Sequence, residues 1–138
     1  MPLIKGFHDN GRAVPQRPGF LSTSALQNEP QGGDVNLSVM PPDLVSACRA
    51  AWAALEMDSE TVIHGDLSSG NVVICPDVRF ALIDWDESRR DLTGFDLVHR
   101  DGIDRNWQRA HLPWEIACGW TVEPVYARSL AAQLMAQY

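Results

Sequence analysis

The chain has a single lysine and no glycine-rich phosphate loop, and it lacks the motifs that bind zinc or build disulfide frameworks. Its 138 residues contain one lysine, Lys5, and no Gly-x-Gly-x-x-Gly sequence, so the usual lysine and glycine-rich loop of a phosphate site are not recognisable. The cysteines Cys48, Cys75 and Cys118 are odd in number and form no Cys-x-x-Cys motif. This argues against disulfides and structural zinc and favours a reducing compartment.

Targeting and membrane segments are not recognisable either. The first residues lack the apolar run of a signal peptide, and no apolar stretch approaches the ~20 residues that span a bilayer. The formal net charge of -7 argues against nucleic acid as the main partner and favours neutral or cationic ligands, although solubility alone also explains the acidity. We predict a cytoplasmic protein with no nucleic-acid and no membrane partner.

The chain has enough apolar residues for one core, since 45% of its residues are hydrophobic. Proline and glycine are concentrated before residue 43, which predicts an irregular Pro/Gly-rich N-terminal segment over residues 1–42, with at most a short helix near Ser22–Leu26. Residues 43–138 carry the periodic patterns. They are predicted to form the main domain.

The periodic patterns predict helices around a small antiparallel β-hairpin. A helix begins at Pro42 and Asp43 and ends near Met57–Asp58. The strand-like runs are Thr61–Ile63, Val72–Cys75 and Phe80–Ile83. Three later helices are predicted: one around Trp107, one over Pro113–Trp120, and one opening near Thr121 with Val122, Val125, Tyr126, Leu130 and Leu134 as its apolar stripe. The predicted fold class is α+β and mainly helical.

The chemistry is concentrated between His64 and Asp86. The chain reads His64-Gly65-Asp66-Leu67-Ser68-Ser69-Gly70-Asn71, then the two strands of the hairpin, then Leu82-Ile83-Asp84-Trp85-Asp86. A carboxylate in the position of Asp66 is able to accept a proton from an attacking hydroxyl. The amide of Asn71 and the carboxylate of Asp84 offer the oxygen ligands that Mg²⁺ prefers. Phosphoryl transfer needs this combination of a base and two metal ligands.

The hairpin predicts how Asn71 and Asp84 meet. If residues 76–79 form the turn, Cys75 pairs with Phe80 and Asn71 faces Asp84, with their Cα atoms about 4.5–5.5 Å apart. The two side chains then project from the same face and share one cation. The pairing depends on the length of the turn.

The sequence His64-Gly65-Asp66-x-x-x-x-Asn71, followed by Ile83-Asp84-Trp85-Asp86, resembles the catalytic core of the aminoglycoside phosphotransferase and choline kinase family, which shares the protein-kinase-like fold. Asp96-Leu97, twelve residues after Asp84, falls where this family has an Asp-Leu at the next helix. The resemblance covers about residues 43–138. It implies that Asp66 is the catalytic base, that Asn71 and Asp84 bind Mg²⁺, and that His64 and Asp96 support the loop.

Other acidic residues have weaker assignments. Asp86 is a candidate for a second metal ion or a substrate contact, with an exposed acid as the favoured alternative. The resemblance also allows four acidic residues to line a site for a cationic substrate: Asp101, Asp104, Glu115 and Glu123. The favoured alternative is that these residues belong to a solvated surface.

The resemblance does not extend to the nucleotide-binding N-terminal lobe of that family. The roughly 60 residues before His64 show no strand series, and Lys5 has no strand context. The chain is therefore expected to be a kinase-like C-terminal lobe alone: a truncated product, a product with a misplaced start, or one half of a split enzyme. The hairpin face around Val72, Ile74, Ala81 and Ile83 is then expected to expose apolar surface, or to be covered by the N-terminal segment, a second copy or a missing lobe.

The leading functional hypothesis is a phosphotransferase that moves the γ-phosphoryl group of ATP or GTP to a hydroxyl of a small molecule, with Mg²⁺. The alternative is a kinase-lobe remnant or binding module without turnover. A third reading is a metal-dependent hydrolase that uses His64, Asp66, Asp84 and Asp86 as ligands, but it lacks a second histidine at helical spacing. The acceptor itself is not specified by these motifs.

Overall fold

The computed structural model describes residues 2–56, 59–76, 79–99 and 101–137, and within them the chain is α+β, as predicted. The helices are α1 (Pro2–Gly11), α2 (Pro42–Ala53), α3 (Arg105–Val122) and α4 (Pro124–Met135). The strands are β1 (Gln31–Gly32), β2 (Val35–Asn36), β3 (Glu60–Ile63), β4 (Val72–Ile74), β5 (Phe80–Leu82) and β6 (Arg89–Leu92). Over these ranges, none of the helices has the length and apolar character needed to cross a membrane.

Helix α2 begins where the sequence predicts, because Pro42 needs no amide partner in the first turn. Its buried face follows helical spacing: Leu44, Ala47, Cys48, Ala51 and Trp52. The indole of Trp52 donates a hydrogen bond of 3.0 Å to the carbonyl of Ala110 and thereby joins α2 to α3. The helix ends at Ala53, earlier than predicted; the predicted end at 57–58 lies outside the described residues.

Helix α3 is continuous from Arg105 to Val122, so the prediction of separate helices around Trp107 and Pro113–Trp120 is wrong. An interior proline costs a helix roughly 3 kcal/mol in isolation. Here Pro113 and its neighbour Trp114 are both buried, and we infer that their packing offsets that cost. Helix α4 begins at Pro124 rather than near Thr121, because α3 continues past Thr121.

The buried face of α4 combines small residues with two of the large apolar side chains that the pattern suggested. Val122, Val125 and Tyr126 are 75%, 85% and 49% exposed. The buried residues of α4 are Ala127, Leu130, Ala131 and Leu134. A Cβ placed on Gly119 would lie 3.4 Å from the Cβ of Ala127, so the two backbones approach closely at this point. Only part of the predicted stripe is therefore correct.

The N-terminal segment is more regular than predicted. Residues 2–11 form α1, and β1 pairs with β2 in an antiparallel ladder, so the prediction of an irregular segment is wrong over these ranges. Four residues of the segment are buried in the same hydrophobic core as α2, α3 and α4: Leu26, Val35, Leu37 and Met40. The predicted division at residue 42 therefore does not separate two cores.

Strand β3 leads into the loop that begins at His64, and it pairs with β6. The register is antiparallel, with Glu60 opposite Leu92 and Ile63 opposite Arg89. Ser88, just before β6, donates its hydroxyl to the carbonyl of Ile63 at 2.8 Å. The beginning of the loop is thus fixed to the chain that follows Trp85, which is how two distant motifs come together.

Strands β4 and β5 form the predicted hairpin, but their register differs from the predicted one by one residue. Val73 pairs with Ala81, and the amide of Ile83 donates to the carbonyl of Asn71 at 3.1 Å. The turn is one residue shorter than assumed, since the amide of Cys75 donates to the carbonyl of Arg79 at 2.7 Å and Cys75 does not pair with Phe80. Asn71 therefore faces Ile83, and the predicted pairing of Asn71 with Asp84 is wrong.

Candidate functional site

The loop from His64 to Asn71 carries Asp66 and requires a glycine at its start. Gly65 has φ +94°, and a Cβ at this position would lie 2.5 Å from the carbonyl oxygen of Glu87. Both the left-handed backbone and the close approach exclude an ordinary side chain. The loop is therefore pressed against the segment that follows Trp85, and the half-buried Asp66 comes immediately after this contact.

Asp66 and Asn71 lie in direct contact. The amide nitrogen of Asn71 donates to the carbonyl oxygen of Asp66 at 2.9 Å and to its carboxylate Oδ2 at 2.8 Å. A tight 3-10 turn over Ser69–Asn71 brings the asparagine back to the aspartate. Because the nitrogen is used in these two bonds, the amide oxygen is the end of Asn71 that remains suited to a hard cation.

Asp84 has an unusual backbone conformation. Its φ is +61°, and it is the only non-glycine residue in the described ranges with a positive φ. Aspartate tolerates the left-handed region better than most residues, but such conformations still cost free energy and are concentrated at functional sites. Asp84 follows Ile83, which is bonded to Asn71. The structure thus places the two predicted metal ligands at the same end of the hairpin, although not opposite each other.

Asp96 lies behind the loop and binds its backbone. Its side chain is fully buried. The carboxylate accepts hydrogen bonds from the amides of His64, at 3.0 Å, and of Gly65, at 2.9 Å. It also accepts a bond of 2.8 Å from Nε2 of His8 in α1. Sequence reasoning selected Asp96 and missed His8, which lies 88 residues away.

His64 is buried and contacts Ile83 and Trp85, the residues on either side of Asp84. Its Nε2 donates to the carbonyl of Ile83 at 2.8 Å, so the ring is directed at the residue before Asp84. Its ring centroid lies 4.6 Å from that of Trp85. The Nδ1 atom is buried and has no hydrogen-bond partner among the described residues.

The contacts of His64 bear on the metal-hydrolase reading. Nε2 is occupied by a carbonyl, and in the described part of the chain no three His, Cys, Asp or Glu side chains are grouped closely enough to hold a metal ion. Asp86 is exposed, and its backbone carbonyl accepts a bond of 2.6 Å from Arg17. The side chains required by the hydrolase reading are therefore not gathered into one site.

A cavity of about 350 Å³ is lined by acidic residues. They are Asp34, Glu87, Glu115 and Glu123. Burial, together with the charges of Glu115 and Asp66, raises the pKa of Glu87 to about 7. Burial and the charge of Asp66 also raise the pKa of Glu115. Glu87 lines the cavity, and its backbone packs against Gly65 beside Asp66, so the cavity adjoins the Asp66 loop.

Of the four acidic candidates from the sequence, Glu115 and Glu123 line this cavity and the other two do not. Asp101 is exposed, and Asp104 caps α3 by accepting a bond of 2.7 Å from the amide of Asn106. Sequence reasoning missed Glu87, which accepts a bond of 3.0 Å from the indole of Trp114. Its position directly after Asp84-Trp85-Asp86 was the available signal.

The raised pKa of Glu87 makes stability depend on pH. Folded Glu87 keeps its proton between its usual pKa of 4.5 and about 7, whereas the unfolded chain loses it there. Its contribution is therefore fully present below pH 4.5 and is lost as the pH rises through about 7. Between pH 4.5 and about 7, the free energy of unfolding is expected to fall less in Glu87→Gln than in the wild type, by on the order of 1–2 kcal/mol. Urea denaturation at a series of pH values measures this free energy, with Glu29→Gln at an exposed position as the control. An equal dependence of the unfolding free energy on pH in both variants would contradict the raised pKa of Glu87.

The hairpin has two apolar faces. Val72, Ile74, Phe80 and Leu82 line a cavity of about 590 Å³ together with residues of α1 and the loop. Ile74 is 68% exposed, Phe80 54% and Ile83 46%, so the hairpin exposes apolar surface, as expected. The face differs from the expected one, because the register pairs Val72 with Leu82 and not with Ile83. Val73 and Ile83 share the opposite face with Asn71.

Comparison with known proteins gives two matches. A family model described as "Phosphotransferase enzyme family" matches residues 12–113. The chain is also similar to a crystal structure of the AMP-bound complex of the spectinomycin phosphotransferase APH(9)-Ia, with 11% identity and a TM-score of 0.40 over 96% of this chain. It spans about half of that structure, 51%. No curated protein matches the chain.

Proposed function

We propose, since this chain belongs to the phosphotransferase enzyme family, that it supplies the catalytic lobe for transfer of the γ-phosphoryl group of ATP or GTP to a hydroxyl of a small molecule. The observation that carries the proposal is the arrangement at the open end of the hairpin. Asn71 holds the carboxylate of Asp66 at 2.8 Å, and Asp84 follows the residue paired with Asn71 on a left-handed backbone.

Asp66 is proposed as the base. Its carboxylate is half-buried and fixed on one oxygen by Asn71, which leaves the other oxygen to accept the proton of an acceptor hydroxyl. A positioned base that accepts this proton contributes roughly 10²–10⁴-fold to the rate. The rigid loop supplies the orientation, because Gly65 and Asp96 fix its backbone.

The ligand chemistry of Asn71 and Asp84 fits magnesium. An amide oxygen and a carboxylate are hard oxygen donors, and Mg²⁺ is commonly held by one or two such side chains together with water and substrate phosphates. When bound, the ion neutralises charge on the transferred phosphoryl group. The role of Asn71 and Asp84 would be to hold it beside Asp66.

The phosphate-holding lysine and loop are not provided by this sequence. We infer that the 138 residues act as the lobe that carries the base and the metal ligands, and that the remaining grip on the nucleotide comes from a further segment or chain. The exposed face formed by Val73 and Ile83 is a suitable wall for a nucleotide base, because both side chains are apolar, at 40% and 46% exposed.

The acceptor is proposed to be a hydroxyl compound that carries an ammonium group. The acidic cavity adjoins the Asp66 loop through the contact of Gly65 with Glu87, and a cation placed there would favour the charged forms of Glu87 and Glu115. This proposal predicts faster turnover with amino alcohols than with neutral polyols of the same size.

Titration with Mg²⁺-ATP tests the metal assignment on the 138-residue chain. We expect amide NMR shifts at Asn71, Asp84 and Ile83, with a Kd no tighter than about 1 mM, or ~4 kcal/mol, because no lysine or glycine-rich loop assists. Asp84→Asn should remove the Mg²⁺-dependent part of the shifts, since the amide tolerates the left-handed backbone but lacks the charge.

The matched control is Asp43→Asn, the same change at an exposed position of α2, which should leave the titration unaltered. Micromolar binding would contradict the inference that a further segment or chain supplies the remaining contacts to the nucleotide. Mg²⁺-dependent shifts that persist in Asp84→Asn would remove Asp84 from the metal site.

A further inference from the structure

The buried carboxylate of Asp96 joins α1 to the loop that carries Asp66. It accepts three hydrogen bonds within 2.8–3.0 Å, two from loop amides and one from His8. A buried carboxylate is stable only when such donors satisfy it. The loop amides of His64 and Gly65 are therefore held by a group whose own orientation is held by His8.

The same turn of α1 also contacts the segment that carries Asp84. The ring of Phe7 lies 5.5 Å from Trp85, edge to face, and Trp85 follows Asp84. Trp85 in turn lies against His64. Two adjacent residues of α1 thus contact the segments that carry the proposed base and the proposed metal ligand.

His8 makes two separable contacts. Its backbone carbonyl accepts a bond of 2.6 Å from the hydroxyl of Thr61 in β3, which packs α1 onto the sheet. Its imidazole Nε2 binds Asp96; because a carboxylate is an acceptor, this nitrogen must carry the proton. The packing contact and the contact directed at the loop can therefore be removed independently.

We propose that His8 is a positioning residue for phosphoryl transfer, acting through Asp96 to hold the backbone of His64 and Gly65 and hence the carboxylate of Asp66. This inference rests on the proposed function. His8 lies outside the residues 12–113 that match the family model, so the family assignment gives it no role. Small displacements of a catalytic group, of about 1 Å, cost roughly 10²-fold in rate.

His8→Leu removes the donor and keeps an apolar side chain of similar length, whereas His8→Gln keeps an N–H. In the whole gene product, His8→Leu is expected to lower kcat by about 10- to 100-fold, with KM changed less than about threefold. Hydrogen exchange of the His64 and Gly65 amides should accelerate by at least about 10-fold relative to the amides of β3. His8→Gln should restore both quantities to within about threefold of the wild type.

Thr61→Val is the matched control, because it breaks the packing contact of His8 and leaves the bond to Asp96. It is expected to reduce stability while kcat and the exchange of the Gly65 amide stay within about threefold of the wild type. Equal effects of Thr61→Val and His8→Leu, or no rescue by His8→Gln, would overturn the proposal, because His8 would then serve only to pack α1.

A measurement on the wild-type chain keeps the proposal testable if His8→Leu does not fold. Nitrogen-15 NMR of the histidine rings should find the proton of neutral His8 on Nε2; a proton on Nδ1 alone would overturn the bond to Asp96 and with it the proposal. Failure of the proposed function gives a different result. A wild type without any phosphoryl transfer refutes the function, while the exchange and ring measurements still decide whether His8 positions the loop.

Discussion

Asp66→Asn is expected to lower kcat for phosphoryl transfer by about 10²–10⁴-fold in the whole gene product. The change removes the proton acceptor and keeps the size of the side chain. The side-chain carbonyl of the new asparagine can still accept the bond that Asn71 donates to Asp66, so the loop should keep its conformation. Single-turnover transfer from γ-labelled ATP measures the rate, and urea denaturation checks that stability changes by less than about 1 kcal/mol.

The control for this prediction is Asp43→Asn, which removes a charge of the same sign from an exposed position and should leave kcat unchanged. A rate in Asp66→Asn within about tenfold of the wild type would contradict the assignment of the base, since a positioned base supplies more than that. If the wild type transfers no phosphoryl group to any acceptor tested, the result would instead favour the alternative of a kinase-like lobe without turnover.

The sequence could predict features that depend on short spacings. The contact between Asp66 and Asn71 spans five residues and is closed by one 3-10 turn. Helix α2 was predictable because a proline in its first turn and an apolar repeat specify both its start and its buried face. In each case the interaction is local, and no distant element is needed to fix it.

Features that the local pattern leaves open, or that depend on distant packing, were not predictable. The alternation of Val72–Cys75 and Phe80–Ile83 fits turns of different length equally well, so the sequence does not determine the register. A register difference of one residue places Asn71 opposite Ile83 instead of Asp84. Helix α1 is only ten residues long, too short to be stable alone. We infer that its contacts with β3 and Asp96 hold it in place.

Glu87 shows why part of the candidate site was missed. In the sequence it follows Asp86 and looks like another solvated acid. Its burial comes from α3, where Trp114 donates to its carboxylate at 3.0 Å, and its raised pKa follows from that burial. Periodicity gives the face of a helix, but it does not say which loop a helix covers.

The largest effect on stability is expected from Arg89, whose side chain is 1% exposed. Its Nε donates to the fully buried Asp91 at 2.9 Å, and its guanidinium carbon lies 3.2 Å from the ring centroid of Trp114. Thr23 donates both its amide and its hydroxyl to Asp91. The ion pair therefore joins the N-terminal segment, β6 and α3 at one point.

Arg89→Met keeps most of the side-chain volume but leaves the carboxylate of Asp91 buried without its cation. Removing one partner of a buried pair costs about 3–5 kcal/mol, so the free energy of unfolding should fall by that amount. Chemical denaturation at low temperature measures it. The control is Lys5→Met, which breaks an ion pair with Asp9 whose side chains are 79% and 44% exposed and should cost less than about 1 kcal/mol.

The double variant Arg89→Met with Asp91→Leu separates the charge from the packing. Replacing both members by apolar side chains removes the unpaired carboxylate, and such replacements are often neutral or stabilising. The double variant is therefore expected to recover about half or more of the loss, although Thr23 then keeps two donors without their acceptor. A loss in Arg89→Met below about 1 kcal/mol would show that the pair is not a main stabilising contact. Because Arg89 pairs with Ile63 immediately before His64, its removal should also accelerate hydrogen exchange of the loop amides that Asp96 holds.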